Sequence, residues 1–128
     1  MSERARFLNV AAQFLVHDVV ATAEYYQQKL GFTLRSYFLD PPVFAMHHRD
    51  GVELHFGKVE SDVVVPSKES LRPGLGIEAY IWVSDIQSLY EEYRDAGVKI
   101  IEGPVNRVYG STEIVIRDCN GFTIAFGD

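Results

Sequence analysis

The chain has 128 residues, 47% hydrophobic and 23% charged, values that suit one globular domain or two small halves sharing a core. Twelve Lys and Arg against 18 Asp and Glu give a net charge of −6, which speaks against nucleic acid, whose affinity comes largely from cations on phosphates. The single cysteine, Cys119, excludes an internal disulfide and a multi-cysteine metal site. No apolar run has membrane-spanning length, and "MSERARFLNVAAQFLV" has no signal-peptide core, so a cytoplasmic protein is expected.

Residues 11 to 17 alternate, with Ala12, Phe14 and Val16 in one apolar row, as a strand does. Asp18 is placed to cap a helix, "VVATAEYYQQKL", that stops at Gly31. Val19, Ala23, Tyr26 and Leu30 fall on one stripe of that helix. Three strand-like runs follow, "FTLRSYF", "VFAMHHR" and "VELHFGK", with Asp50-Gly51 as a hairpin turn between the last two. Residues 61–76 carry scattered Ser, Pro and Gly and read as a linker.

After the linker the order repeats. "IEAYIWV" is a strand, Asp85 caps "IQSLYEEYRDA", and Gly97 stops it. "VKIIE", "STEIVIR" and "GFTIAFG" complete the set, with Gly-Pro and Asn-Gly as punctuation. "RDGVELHF" parallels "RDCNGFTIAF". The expected fold is therefore α+β: a single domain over 1–128 built of two tandem βαβββ modules, about 7–60 and 77–127. Each module is a curved mixed sheet around a concave cleft, with its helix on the convex side.

Residues that alternate with the helix-facing ones must face the cleft. Ile81 and Val83 are assigned to the helix side, which leaves Glu78, Tyr80 and Trp82 on the concave side. By the same rule Glu53 and His55 are concave, as is Glu113. Aromatic walls with a few polar groups suit a small-molecule site. The expected lining is Phe44, Glu53, His55, Glu78, Tyr80, Trp82, Tyr109 and Glu113. Whether Phe38 and His48 join it depends on a hairpin register left open by the sequence. Adjacent strand residues point to opposite faces, so His47 and His48 divide one in and one out rather than chelating together.

The paired units, with "DGVELHF", "YIWVSDIQSLYEEY" and "RDCNG", resemble the vicinal oxygen chelate superfamily of glyoxalases, dioxygenases and bleomycin-resistance proteins, and the bleomycin-resistance branch most. Cys119 stands where these proteins commonly have Pro, and Asn120-Gly121 still supplies the turn. The superfamily's enzymes hold a divalent metal with one residue from each of four strands. The resemblance carries those places onto Ala11, onto His55 (or Glu53 after a two-residue slip), onto Glu78 and onto Ala125. Alanine offers no donor, so no metal ligand, no catalytic residue and no cofactor is assigned.

The resemblance thus implies a protein that sequesters an antibiotic-type, cationic or aromatic small molecule without chemistry. A glyoxalase-type lyase or dioxygenase with a degenerate ligand set is the alternative. It also implies a homodimer with shared clefts, while the charge and the absence of a long apolar run lead us to expect no nucleic-acid or membrane partner.

Overall fold

The structure, a computed structural model, describes residues 3–128. The first module holds β1 (Ala11–Val16), α1 (Val19–Gln28), β2 (Thr33–Phe38), β3 (Phe44–Arg49) and β4 (Val52–Lys58). The second holds β5 (Ala79–Trp82), α3 (Ile86–Asp95), β6 (Lys99–Asn106), β7 (Thr112–Arg117) and β8 (Thr123–Gly127). A single turn of helix, α2 (Lys68–Leu71), lies between them. The sheets run β1-β4-β3-β2 and β5-β8-β7-β6. In each, the first and last strands of the module pair in parallel and the other pairs are antiparallel. The expected α+β class and the doubled βαβββ order hold.

Local chemistry explains the repeat. Asp18 accepts a hydrogen bond from the Ala21 N–H at 2.9 Å, and Asp85 accepts one from the Ser88 N–H at 3.2 Å, so both helices start on a capped turn. Gly31 and Gly97 take φ of +76° and +78°, the left-handed conformation that ends a helix. The α1 stripe of Val19, Ala23, Tyr26 and Leu30 is buried, as is the α3 stripe of Ile86, Leu89 and Tyr93.

Two elements depart from the sequence reading. The strand "VKIIE" does not stop at Gly103-Pro104; β6 continues through it to Asn106 with two register shifts. An outer strand tolerates proline because its missing N–H deprives no neighbour. Gly103 supplies φ of +99° there, and a Cβ on it would sit 2.3 Å from the Glu113 carbonyl oxygen. The linker is also more ordered than its composition implies. Ser67 caps α2 by accepting from the Ser70 N–H, and Glu69 accepts from the Gly74 N–H at 3.0 Å.

The modules share one core at their helices. Phe14 of β1 meets Phe122 of the second module with ring centroids 5.6 Å apart. The Tyr26 hydroxyl donates to Asp118 at 2.7 Å, and Asn120 donates to the Thr22 hydroxyl at 3.1 Å. At the far ends of the helices Tyr93 donates to the Leu30 carbonyl, and Arg49 grips Glu92 through two bonds of 2.8 Å.

His47 is an exception within that core. It is fully buried against Phe56, and neither ring nitrogen has a hydrogen-bond partner. Burial lowers its pKa; the Ala23 backbone pulls the other way without forming a bond. The unfolded chain therefore takes up a proton first, and His47 subtracts stability as pH falls below the ordinary histidine value. His47→Leu should raise stability by about 1 kcal/mol at neutral pH and flatten the decline below it. Urea titrations at two pH values measure both effects; a variant less stable than wild type at both would show that the ring is satisfied.

Candidate functional site

Pairing register fixes which residues share the helix-free face of the first sheet. Ala45 and His47 are buried toward α1, so Phe44, Met46 and His48 face away. Phe38 lies opposite Phe44, Met46 opposite His55, and His48 opposite Glu53. Phe38 and His48 therefore join Phe44, Glu53 and His55 on this face, and the two histidines divide as the alternation requires. Gln13 bonds His55 Nδ1 at 2.8 Å, Arg35 pairs with Glu53 at 3.1 Å, and His55 Nε2 lies 3.5 Å from Glu53. The Phe44 ring stands edge-on to the imidazole at 5.6 Å.

The corresponding face of the second sheet carries the other expected residues. Tyr80 lies opposite Ala125, and Trp82 opposite Gly127, which in turn lies opposite Glu113. Tyr80 leans across Gly127, where a Cβ would fall 1.9 Å from its hydroxyl oxygen. That hydroxyl donates to Glu113 at 2.6 Å, Tyr109 donates at 2.7 Å, and Arg107 Nε donates at 2.8 Å. Arg107 also pairs with Glu102. Burial pushes the Glu113 carboxyl up, but the bonds from Tyr80, Arg107 and Tyr109 outweigh it and leave its pKa below the ordinary value.

The Tyr80 and Trp82 rings sit 4.8 Å apart, and Trp82 is 76% exposed. Tyr80, Trp82, Tyr109, Ser111, Glu113 and Asp128 line a pocket of about 360 Å³. Four of the eight expected residues thus come together here. Sequence reasoning missed Ser111, Asp128 and the Arg107 behind Glu113. The Arg107 signal lay in the hairpin, whose last pair, Asn106 with Thr112, sets Arg107 beside the turn next to Glu113.

Phe44, Glu53 and His55 lie on the other sheet, and among the described residues no hydrogen bond, ion pair or ring contact links them to this pocket. A second cavity, of about 750 Å³, opens between the modules. Phe32, Ile81, Val83, Leu89, Tyr93 and Phe126 give it apolar walls, Asp50, Asp85 and the Arg49–Glu92 pair bring charge, and Trp82 reaches it from β5.

Comparison with known proteins bears on this architecture. The family model of the Glyoxalase/Bleomycin resistance protein/Dioxygenase superfamily matches residues 8–126. The chain belongs to that superfamily. Within reach of it, virulence protein STM3117 of Salmonella typhimurium (strain LT2) is 28% identical over 109 residues, 83% of this chain and 73% of that protein. The crystal structure of UcmS2 superposes with a TM-score of 0.73 at 26% identity, covering 98% of this chain and 99% of that one. A bleomycin resistance determinant encoded on transposon Tn5 superposes at 0.74 and 15% identity, over 95% and 98%, which is a likeness of fold.

The superfamily's metal can be tested against the residues present. Ala11 lies opposite Glu53, and Ala125 is buried between Tyr80 and Val115; neither has a donor atom. Glu78 does have two, and both are engaged: one oxygen accepts the Lys68 N–H at 2.6 Å and the other the Thr123 N–H at 2.8 Å. A carboxylate clamped between two backbone amides ties the α2 turn to β8. Among the described residues no three His, Cys, Asp or Glu side chains converge. The donor set does not fit the superfamily's metal. Cys119 offers no nucleophile either, since partial burial and then Asp118 push its thiol up to about 11. No helix among the described residues is long and apolar enough to cross a membrane.

Proposed function

We propose that this protein binds a cationic, aromatic small molecule and sequesters it without chemistry. The observation that carries the reading is the pocket of two carboxylates and three rings, one of them the exposed Trp82. Flat rings recognise flat ligands by stacking and cations by their π faces. Glu113 and Asp128 outnumber Arg107, the one cation beside them among the described residues, so the pocket favours a positively charged ligand. The alanines at two of the superfamily's ligand places, and the clamped Glu78, support binding over metal-assisted turnover. The likeness of fold to the Tn5 bleomycin resistance determinant makes bleomycin the first ligand to try.

The protein works as a homodimer on this reading. Each lone chain leaves Leu15 and Phe38 of the first sheet, and Trp82 of the second, exposed on faces that point away from the helices. Facing a first sheet of one chain onto a second sheet of its partner closes two equivalent clefts. Phe44, Glu53, His55 and Glu78 then belong to the same site as the aromatic pocket.

Trp82 is the single tryptophan, so its fluorescence reports the site directly. Bleomycin should quench it saturably, and Trp82→Ala should weaken binding, measured calorimetrically, by about 1–3 kcal/mol, the range for ring stacking. Equal affinity in the variant would remove the pocket from the account.

A further inference from the structure

The ligand pocket holds a carboxylate whose acceptor directions are largely taken by its own neighbours. We propose that Tyr109 is a latch on Glu113: a ligand's cationic N–H displaces the Tyr109 hydroxyl, so the site selects cations that carry N–H donors over cations that carry none. The inference rests on the ligand reading above and names which cations that site takes.

Glu113 lines the pocket with only 5% of its side chain exposed. Its Oε2 accepts two phenols, Tyr80 at 2.6 Å and Tyr109 at 2.7 Å. A carboxylate oxygen offers about two acceptor directions, so Oε2 is full. Oε1 accepts Arg107 Nε at 2.8 Å. A cation that approaches Oε1 meets the charge of that guanidinium, which is held in place by its second pair, with Glu102. Oε2 is flanked by neutral hydroxyls instead, and a cation reaches it once one of them leaves.

The two phenols are not equally held. Tyr80 is half-buried on β5, its hydroxyl crowds over Gly127, and that hydroxyl lies 3.3 Å from the Ser111 oxygen. Its ring also leans on Trp82. Tyr109 is 69% exposed in the turn between β6 and β7, and among the described residues its hydroxyl bonds to Glu113 alone. Swinging Tyr109 out returns its hydroxyl to water, so the exchange costs little.

An ammonium or guanidinium N–H on the freed oxygen joins opposite charges, and that bond is stronger than the phenol bond it replaces. A quaternary ammonium has no N–H. It leaves the latch shut and keeps only its attraction to the ring faces of Tyr80 and Trp82. Asp128, the other carboxylate of the pocket, is turned to the Thr112 and Ile86 amides, each at 3.3 Å. The choice between the two kinds of cation therefore falls to Glu113 and its latch.

Two probes with the same ring and the same charge separate the cases: naphthylethylammonium and its N-trimethyl derivative. The indole ¹H–¹⁵N signal of Trp82, the single tryptophan, reports the binding of each. The wild type should bind the ammonium about threefold more tightly than the trimethyl probe. Tyr109→Phe keeps the ring and removes the competing hydroxyl, so the ammonium should gain about fivefold and the trimethyl probe nothing. Glu113→Gln should bring the two probes to equal affinity. No preference for the ammonium in the wild type overturns the latch and leaves the aromatic-cation reading standing. So does a Tyr109→Phe variant that gains for neither probe or for both, and so does a preference that survives Glu113→Gln. Bleomycin shifting the Trp82 signal where neither probe does overturns the latch alone. No shift with either probe or with bleomycin overturns the reading and the latch together.

Discussion

Asp118→Ala should lower stability by about 3–5 kcal/mol and the melting temperature by about 10–20 °C. Asp118 is buried at the turn between β7 and β8. One oxygen accepts the Asn120 N–H at 2.8 Å and the Phe122 N–H at 2.9 Å; the other accepts the Tyr26 hydroxyl at 2.7 Å. The first pair shapes the turn, with Gly121 at φ of +84° completing it. The Tyr26 bond joins the modules. Truncation leaves a fully buried phenol and a buried Phe122 N–H without acceptors, each worth about 1–3 kcal/mol. Burial raises the Asp118 pKa although all its bonds favour the anion, so shape and hydrogen bonding matter here more than charge. Asp118→Asn, with its oxygen toward the two amides, should therefore lose less than about 1 kcal/mol. Thermal unfolding of the two variants separates these effects. Equal and large losses would assign the stability to the charge instead.

Glu113→Ala should remove about 2–4 kcal/mol and weaken ligand binding at least tenfold. Its carboxylate holds Tyr80, Tyr109 and Arg107 together, and without it three donors lose their common acceptor. Arg107 keeps Glu102, and Tyr109 is exposed enough to rehydrate, which limits the stability loss. The binding loss is larger in proportion, because Tyr80 and Tyr109 are walls of the pocket. The pH dependence has a definite sign. Glu113 has a folded-state pKa below its ordinary value, so as pH falls the unfolded chain binds the proton first. The stabilisation is complete above the ordinary glutamate value and disappears as pH falls through the depressed one. Glu113→Gln should remove that part of the acid-induced decline. An unchanged acid limb in chemical denaturation would place the pH sensitivity elsewhere.

The sequence displayed the strands and helices well because each is bounded by a residue with one structural use. Asp18 and Asp85 cap, Gly31 and Gly97 stop, and Asp50-Gly51 turns. Where one residue can serve two ends, the sequence misled: Gly103-Pro104 looks like a terminus and is the bulged middle of an edge strand. On the first sheet, alternation put Phe44 and His55 on the face turned away from α1. It could not show which polar atoms remain available. Glu78 is bound by the Lys68 and Thr123 amides, one of which comes from a segment that composition assigns to a linker. The junction cavity was invisible for a related reason. Its apolar walls come from β5, α3, β8 and the segment before β2, and Ile81, Leu89, Tyr93 and Phe126 each read locally as ordinary core.

Binding in the absence of metal is the central claim. Its direct test is a titration of chelator-treated protein with bleomycin, followed by Trp82 fluorescence, before and after adding back zinc, nickel, manganese or iron(II). The account predicts saturable quenching with one ligand per chain, unchanged by any of the metals, and no turnover of the methylglyoxal–glutathione adduct. A flat titration that becomes saturable only with a metal, or turnover that a metal restores, would contradict it.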